Sequence, residues 1–296
     1  MSLIRTEHLT RSYGSRRGVE DICLSVDEGE IYRFLGPNGA GKSTTIRLLL
    51  GFLRPSSGRA EIFGRDCQRH SAEIRRDVGY VAGDVRLYPW LTLQRALRIV
   101  GDIRGRDLTS RGSELAELFQ LQPDLPVRKM SRGNRQKLAL VTALAHDPRL
   151  VILDEPTSGL DPLMQDVLAD CLRRMAAAGK TVFFSSHALA EVESLCGRVA
   201  IIRDGRIVAA ESVRELKRRA PRRVRIRYVS PEAARLSVVP EGLTTISRTN
   251  DVVELELIGE SADLIRWAAN EPVVDLGIGE PGLESLFRRY YSDPEA

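Results

Sequence analysis

The stretch Gly36-Pro37-Asn38-Gly39-Ala40-Gly41-Lys42-Ser43 reads G-x-x-x-x-G-K-S, a phosphate-binding loop pattern, and Thr44 continues it. The residues before it, Ile31 to Leu35, are mostly apolar and read as a buried strand. The residues after it place Ile46, Leu49, Leu50 and Leu53 at helical spacing. Strand, glycine loop and helix form the context in which backbone N–H groups close around phosphate oxygens at a helix N-terminus. Lys42 supplies a point charge for the β- and γ-phosphates, and Ser43 offers a hydroxyl to Mg²⁺. A nucleotide site with Mg²⁺ is therefore expected.

Composition bounds the rest. The chain has 296 residues, enough for one large or two ordinary domains, and 43% of them are hydrophobic. Its net charge of +4 comes from basic residues that are almost all arginine. So small an excess, spread along the chain, reads as a solvated surface rather than a nucleic-acid interface. Cys23, Cys67, Cys171 and Cys196 lie far apart with no C-x-x-C spacing. They read as neither a disulfide framework nor a metal site, and they point to a reducing compartment. The first residues lack the apolar core of a signal peptide, and no apolar run is long enough to span a bilayer. A cytoplasmic protein is expected, and any membrane span has to come from another chain.

In chain order, residues 3–9 read as an edge strand, and Ile22 to Val26 and Ile31 to Leu35 as strands around the turn Asp27-Glu28-Gly29-Glu30. Arg33 puts a charge into a core strand and needs a partner that the sequence does not identify. Arg59 to Phe63 and Val78 to Val81 read as strands. Two amphipathic helices, from Thr92 to about Arg104 and from Ser110 to Phe119, form an insert at about 84–130. Ser131-Arg132-Gly133-Asn134 precedes an apolar helix. Leu150-Val151-Ile152-Leu153 followed by Asp154-Glu155 reads as a buried parallel strand whose C-terminal end emerges at a site. A helix from Pro162 to about Ala178, a strand from Thr181 ending at Ser186-His187, a helix from Leu189 to Leu195 and a hairpin from Val199 to Val208 follow. The basic, proline-containing stretch from Lys217 to Arg223 marks a domain boundary. Beyond it, strands at 224–229, 244–248, 252–258 and 273–276 and helices at 262–270 and 283–291 predict a small α+β unit with an antiparallel sheet.

Asp154 and Glu155 gain a role from the loop upstream. Asp154 is expected to hold Mg²⁺ near Ser43, and Glu155 to face the γ-phosphate and orient or deprotonate the attacking water. His187, at the end of a parallel strand, can reach the same edge.

In the order of these motifs the chain resembles the nucleotide-binding subunits of ABC transporters over about residues 1–217. The resemblance implies an α/β fold of the P-loop NTPase type, with a mostly parallel core sheet, antiparallel N-terminal strands and a helical subdomain at about 84–130. By the same resemblance Tyr13 stacks on adenine, Gly36 to Thr44 is Walker A, and Leu150 to Asp154 is Walker B. Glu155 is the catalytic carboxylate, Asp161 belongs to the D-loop, and His187 is the switch histidine. Met130 to Asn134 aligns with the signature motif, usually L-S-G-G-Q. Ser131 and Gly133 are kept, and Arg132 and Asn134 are departures. The Q-loop glutamine aligns with Gly83, followed by Asp84. The segment from Gly83 to Pro89 resembles the ABC-2 branch, which includes drug and antibiotic exporters. The unit at 218–296, with Glu280-Pro281-Gly282-Leu283-Glu284-Ser285-Leu286-Phe287, resembles a small extension found in that branch.

The resemblance further implies a homodimer in the ATP state, each ATP lying between Lys42 of one copy and Ser131 of the other. A separate transmembrane permease would dock on the helical insert and hold the protein on the inner face of the membrane. Two other classes compete. One is a soluble ABC ATPase acting on nucleic acid or ribosomes. A single cassette without a zinc module or coiled coil argues against it, and no nucleic acid is expected as partner. The other is a nucleotide-regulated module with weak hydrolysis, against which Glu155 stands. The C-terminal unit reads first as a packing accessory; a small-molecule sensor and a brace between two copies are the functional readings, of which its apolar strands favour the brace.

Overall fold

The computed structural model describes residues 2–14, 16–186 and 196–282. The expected helices at 189–195 and 283–291, and His187, lie outside the described residues. The chain divides into two compact units, 1–210 and 211–296. The division falls ahead of the basic stretch at 217–223, because the helix Val213–Arg219 groups with the second unit.

The first unit begins with β1 (Ser2–Tyr13) and β2 (Arg16–Asp27), then β3 (Ile31–Leu35), α1 (Lys42–Leu49), β4 (Ser57–Ile62) and β5 (Arg65–Asp66). These are followed by α2 (Ser71–Arg76), β6 (Val78–Val81), α3 (Leu93–Arg104), α4 (Thr109–Leu118) and α5 (Arg132–Leu144). The unit ends with β7 (Leu150–Asp154), α6 (Pro162–Ala177), β8 (Thr181–Ser186), β9 (Arg198–Arg203) and the start of β10 (Arg206–Ser212). One sheet has the order β2-β1-β4-β5 and is antiparallel throughout. β1 is not the edge strand expected: it pairs with both β2 and β4. Its length gives it two hydrogen-bonding edges, and its alternating burial fits a strand inside a sheet covered on one face.

The second sheet has the order β10-β9-β3-β8-β7-β6, with parallel pairing of β6, β7, β8, β3 and β9. Its central strands are buried on both faces, and alternation sorts their side chains into two cores. Tyr32, Phe34, Ile152 and Phe183 face the antiparallel sheet and α1, with Tyr32 stacked on Phe183 at 6.1 Å. Ile31, Val151, Leu153, Val182 and Phe184 face the other way, into a core shared with α3 to α6. Arg33, fully buried, lies with its guanidinium 5.1 Å from the centre of the Phe184 ring. That cation–π contact is one partner the sequence could not name.

The second unit holds α7 (Val213–Arg219), β11 (Arg222–Tyr228), α8 (Pro231–Leu236), β12 (Leu243–Thr249), β13 (Val252–Leu257), α9 (Ala262–Ala268) and β14 (Val273–Pro281). Its antiparallel sheet has the order β12-β13-β11-β14. Strict alternation along β11 buries Val224, Ile226 and Tyr228 against Leu255 and Leu264 and leaves Arg223, Arg225 and Arg227 exposed.

Candidate functional site

The glycine loop is shaped by contacts that forbid side chains. A Cβ on Gly36 would lie 2.4 Å from the Ile202 carbonyl oxygen. One on Gly41, whose φ is +109°, would lie 2.6 Å from Val19 Cγ1. Both positions therefore require glycine, the second also for its left-handed backbone. The turn between β9 and β10 supports the loop, since Gly205 N–H donates to the Ala40 carbonyl at 3.0 Å. Gly41 caps α1 without any side-chain hydrogen bond, so the first-turn N–H groups keep their capacity for an external acceptor.

Lys42 is 5% exposed and bends back over the loop. Its Nζ donates to the carbonyls of Gly36 at 2.6 Å and Pro37 at 3.1 Å, and lies 3.1 Å from Glu155 Oε1. The ends of β3 and β7 thus bring together the two residues that the sequence singled out for phosphate and for water. Glu155 adopts a left-handed backbone, φ 51°, just past β7. Its N–H donates to the Ser185 carbonyl at 3.2 Å and to Ser185 Oγ at 3.1 Å. Ser185 Oγ in turn donates to Asp154 Oδ1 at 2.5 Å. Ser185 therefore positions both acids, a role the sequence reading missed. Its signal was a polar residue ending an apolar strand in register with Asp154.

Asp154 is 4% exposed, and a Cβ on Gly83 would lie 3.3 Å from its Oδ2. Asp84 turns away to solvent, paired with Arg86 at 2.8 Å. Ser43 and Thr44 are half-buried in the first turn of α1. Asn38 and Gly39 are exposed at the tip of the loop. Tyr13 ends β1, 42% exposed, with Arg11 5.0 Å over its ring. It packs on Gly18, whose carbonyl approaches Gly41, so the aromatic borders the loop.

A second cluster sits at the start of α5. Ser131 caps the helix, its Oγ accepting from Asn134 N–H at 3.2 Å. A Cβ on Gly133 would lie 2.6 Å from the Gly159 carbonyl oxygen. Arg132 Nη2 donates to Ser158 Oγ at 2.6 Å, and Gln136 Nε2 to the Pro156 carbonyl at 3.0 Å. Asp161 caps α6 by accepting from Met164 N–H at 3.0 Å. Arg132 thus ties the start of α5 to the turn that precedes α6.

A family model described as ABC transporter matches residues 19–158. The bacitracin transport ATP-binding protein BcrA of Bacillus licheniformis is 39% identical over 221 residues, covering 74% of this chain and 72% of that relative. The ABC transporter ATP-binding protein YhaQ of Bacillus subtilis is 30% identical over 293 residues, 96% of this chain and 97% of the relative, so the second unit has a counterpart there. The Nod factor export ATP-binding protein I of Ralstonia nicotianae is 35% identical over 72% of this chain and 68% of its own length. A solved ATP-binding subunit of an ABC transporter superposes with a TM-score of 0.69 at 32% identity, covering 73% of this chain and 92% of that one. On this likeness the chain belongs to the ATP-binding subunits of ABC transporters and is an ATP hydrolase of that family.

Proposed function

We propose that this chain binds and hydrolyses ATP to power a membrane exporter, docked through a separate permease at the cytoplasmic face and working as a homodimer in the ATP state. The observation that carries the chemistry is Lys42 Nζ held between two loop carbonyls and Glu155 Oε1. A triphosphate offers the ammonium stronger acceptors than carbonyls, and Glu155 then faces the water that attacks it. His187, outside the described residues, is assigned by its motif to the same edge. Mg²⁺ fits the donors present: Asp154 keeps Oδ2 facing a residue without a side chain, and Ser43 and Asp154 are hard oxygen ligands. They would hold the ion, which neutralises phosphate charge.

Export as the direction of transport, and a drug, antibiotic or lipid-like cargo, follow the relatives named for bacitracin and Nod factor export. Among the described residues no helix is long and apolar enough to cross a membrane, so the span belongs to the permease. A cavity of about 560 Å³ between β6 and α3 is lined by Tyr80, Val85, Leu87 and Ile99. Tyr88 and Trp90 stack at its rim, 69% and 45% exposed. We assign the permease contact there. The dimer rests on each copy supplying one glycine loop and one exposed Ser131. Glu155→Gln slows hydrolysis and is expected to form dimers with saturating Mg-ATP, read by light scattering. If that variant and wild type both stay monomeric, alone and with the permease, the sandwich arrangement fails.

A further inference from the structure

Away from the nucleotide loop, on the β1–β2 pair, the backbone departs twice from regular pairing within a few residues. Thr6 pairs with Leu24 and Leu9 with Ile22, so Glu7 and His8 together oppose the single Cys23. The next pairs are Leu9–Ile22 and Arg11–Val19, so Glu20 and Asp21 together oppose Thr10. These are two bulges on opposite strands, flanking the fully buried pair Leu9 and Ile22. Each contains a non-glycine residue in the left-handed region, His8 at φ 48° and Asp21 at φ 56°. A bulge re-aims a side chain, and a left-handed residue costs energy that the surrounding structure has to hold in place. Here the structure does hold it: Thr10 Oγ1 accepts from Asp21 N–H at 3.0 Å, and Gly58 leaves room for the His8 carbonyl, which a Cβ there would meet at 2.1 Å.

The outcome is convergence of three unlike metal-ligating groups. His8 Nδ1 lies 2.6 Å from Asp21 Oδ1 and 3.9 Å from Cys23 Sγ, and Cys23 Sγ lies 4.0 Å from Asp21 Oδ1. Bonds of about 2.0–2.3 Å at tetrahedral angles set ligand atoms about 3.3–3.6 Å apart. Each pair here is within about 1 Å of that spacing, a change that side-chain rotation supplies. His8 N–H donates to Cys23 Sγ at 3.4 Å, which fixes where the sulfur points. The neighbouring acids are engaged elsewhere: Glu7 with Arg5 and Arg59, and Glu20 with Arg206. The three groups are exposed, so a fourth position stays open to water.

We propose that His8 Nδ1, Asp21 Oδ1 and Cys23 Sγ form a binding site for a divalent cation of the zinc class. One nitrogen, one sulfur and one carboxylate oxygen suit Zn²⁺ and Co²⁺ and disfavour Mg²⁺. On binding, the His8–Asp21 hydrogen bond opens, the ring proton passes through solvent from Nδ1 to Nε2 so that Nδ1 can ligate, the Cys23 thiol proton leaves to solvent, and the thiolate bonds the metal. The ion cross-links β1 to β2.

The test is a Co²⁺ titration of the untagged full chain without nucleotide. One equivalent is expected to produce intense tetrahedral ligand-field bands and a thiolate-to-cobalt charge-transfer band, both displaced by Zn²⁺. Cys23→Ser removes the charge-transfer band. His8→Asn, chosen because asparagine tolerates the left-handed backbone, weakens binding by more than about tenfold. Circular dichroism confirms that both variants fold. A weak six-coordinate spectrum in the wild type, or identical spectra from wild type and Cys23→Ser, overturns the site.

Discussion

Two stretches beside the adjacent acids Asp154 and Glu155 behave oppositely. From Gly36 to Lys42 the chain is held by its own backbone: glycines against Ile202 and Val19, and an ammonium turned onto two carbonyls and Glu155. From Gly83 to Trp90 the chain packs on the core through Val85 and Leu87 and leaves its other large side chains exposed. Gly83 touches Asp154 without a side chain, Asp84 faces solvent, and Tyr88 and Trp90 stack exposed beside an apolar cavity. The first stretch is complete within one copy and needs only its ligand. The second makes sense as a surface that another chain completes. Binding and coupling are thus separable here, and variants on either side should affect different measurements.

The largest separation is expected from Lys42→Ala. It removes the charged donor of the loop while leaving the apolar cavity untouched. Nucleotide affinity measured by calorimetry should fall by about a hundredfold, the upper range for hydrogen bonds to a charged group. Co-purification with the permease should persist. Unchanged affinity would mean that the phosphates lie elsewhere.

Gly133→Ala probes the second half of the site. Its methyl would press within 2.6 Å of the Gly159 carbonyl, an overpacking that shifts the start of α5 from the D-loop. Turnover should drop about tenfold while affinity for ATP in the isolated chain stays at the wild-type value, because Lys42 is not involved. Equal losses in both would show that the two clusters are not independent.

These contrasts follow what the sequence disclosed. The glycine loop was legible from its fixed spacing, the strands from Ile31 and Leu150 from their apolar runs, and Asp154 and Glu155 from two acids closing such a run downstream of a phosphate loop. Pairing partners were not. β1 read as an edge because alternation reports burial on one face and says nothing of how many neighbours a strand has. Arg33 had no visible partner because Phe184 joins it only through the parallel register of β3 and β8. Ser185 stayed hidden for the same reason. The sequence marked Arg132 only as a departure, because Ser158, its partner in the fold, lies 26 residues further on.

On the cavity side, His146 offers a pH readout. It is 5% exposed, and its burial, with Arg104 nearby, pushes its pKa down to about 4 from 6.5. The folded chain then refuses a proton that the unfolded chain accepts. The stabilisation is complete above about pH 6.5 and is lost as pH falls toward 4, on the order of 2 kcal/mol. Urea unfolding of wild type against His146→Gln should show a difference that changes across this window. A difference independent of pH would contradict the burial argument.

The smallest effect, and the most direct on the comparison, is expected from Gly83→Gln. The backbone at Gly83 has no left-handed requirement, and the added Cβ would stand 3.3 Å from Asp154 Oδ2 and 3.4 Å from the Asp154 carbonyl oxygen. Such a contact is tight but yields to a shift of a few tenths of an ångström. Asp154 is anchored on its other oxygen by Ser185, so the new side chain moves more easily than the acid. An amide then reaches the edge where a family glutamine would meet metal and water. If the missing contact limits hydrolysis, steady-state ATPase activity should rise a few-fold with nucleotide affinity unchanged. Asp84→Asn should leave both alone, since Asp84 is occupied by Arg86 in solvent. A rise in Asp84→Asn, or no change in Gly83→Gln, would place the limiting step in subunit closure rather than at the metal edge. The division between a self-sufficient loop and a partner-dependent segment would then lie on the far side of Gly83.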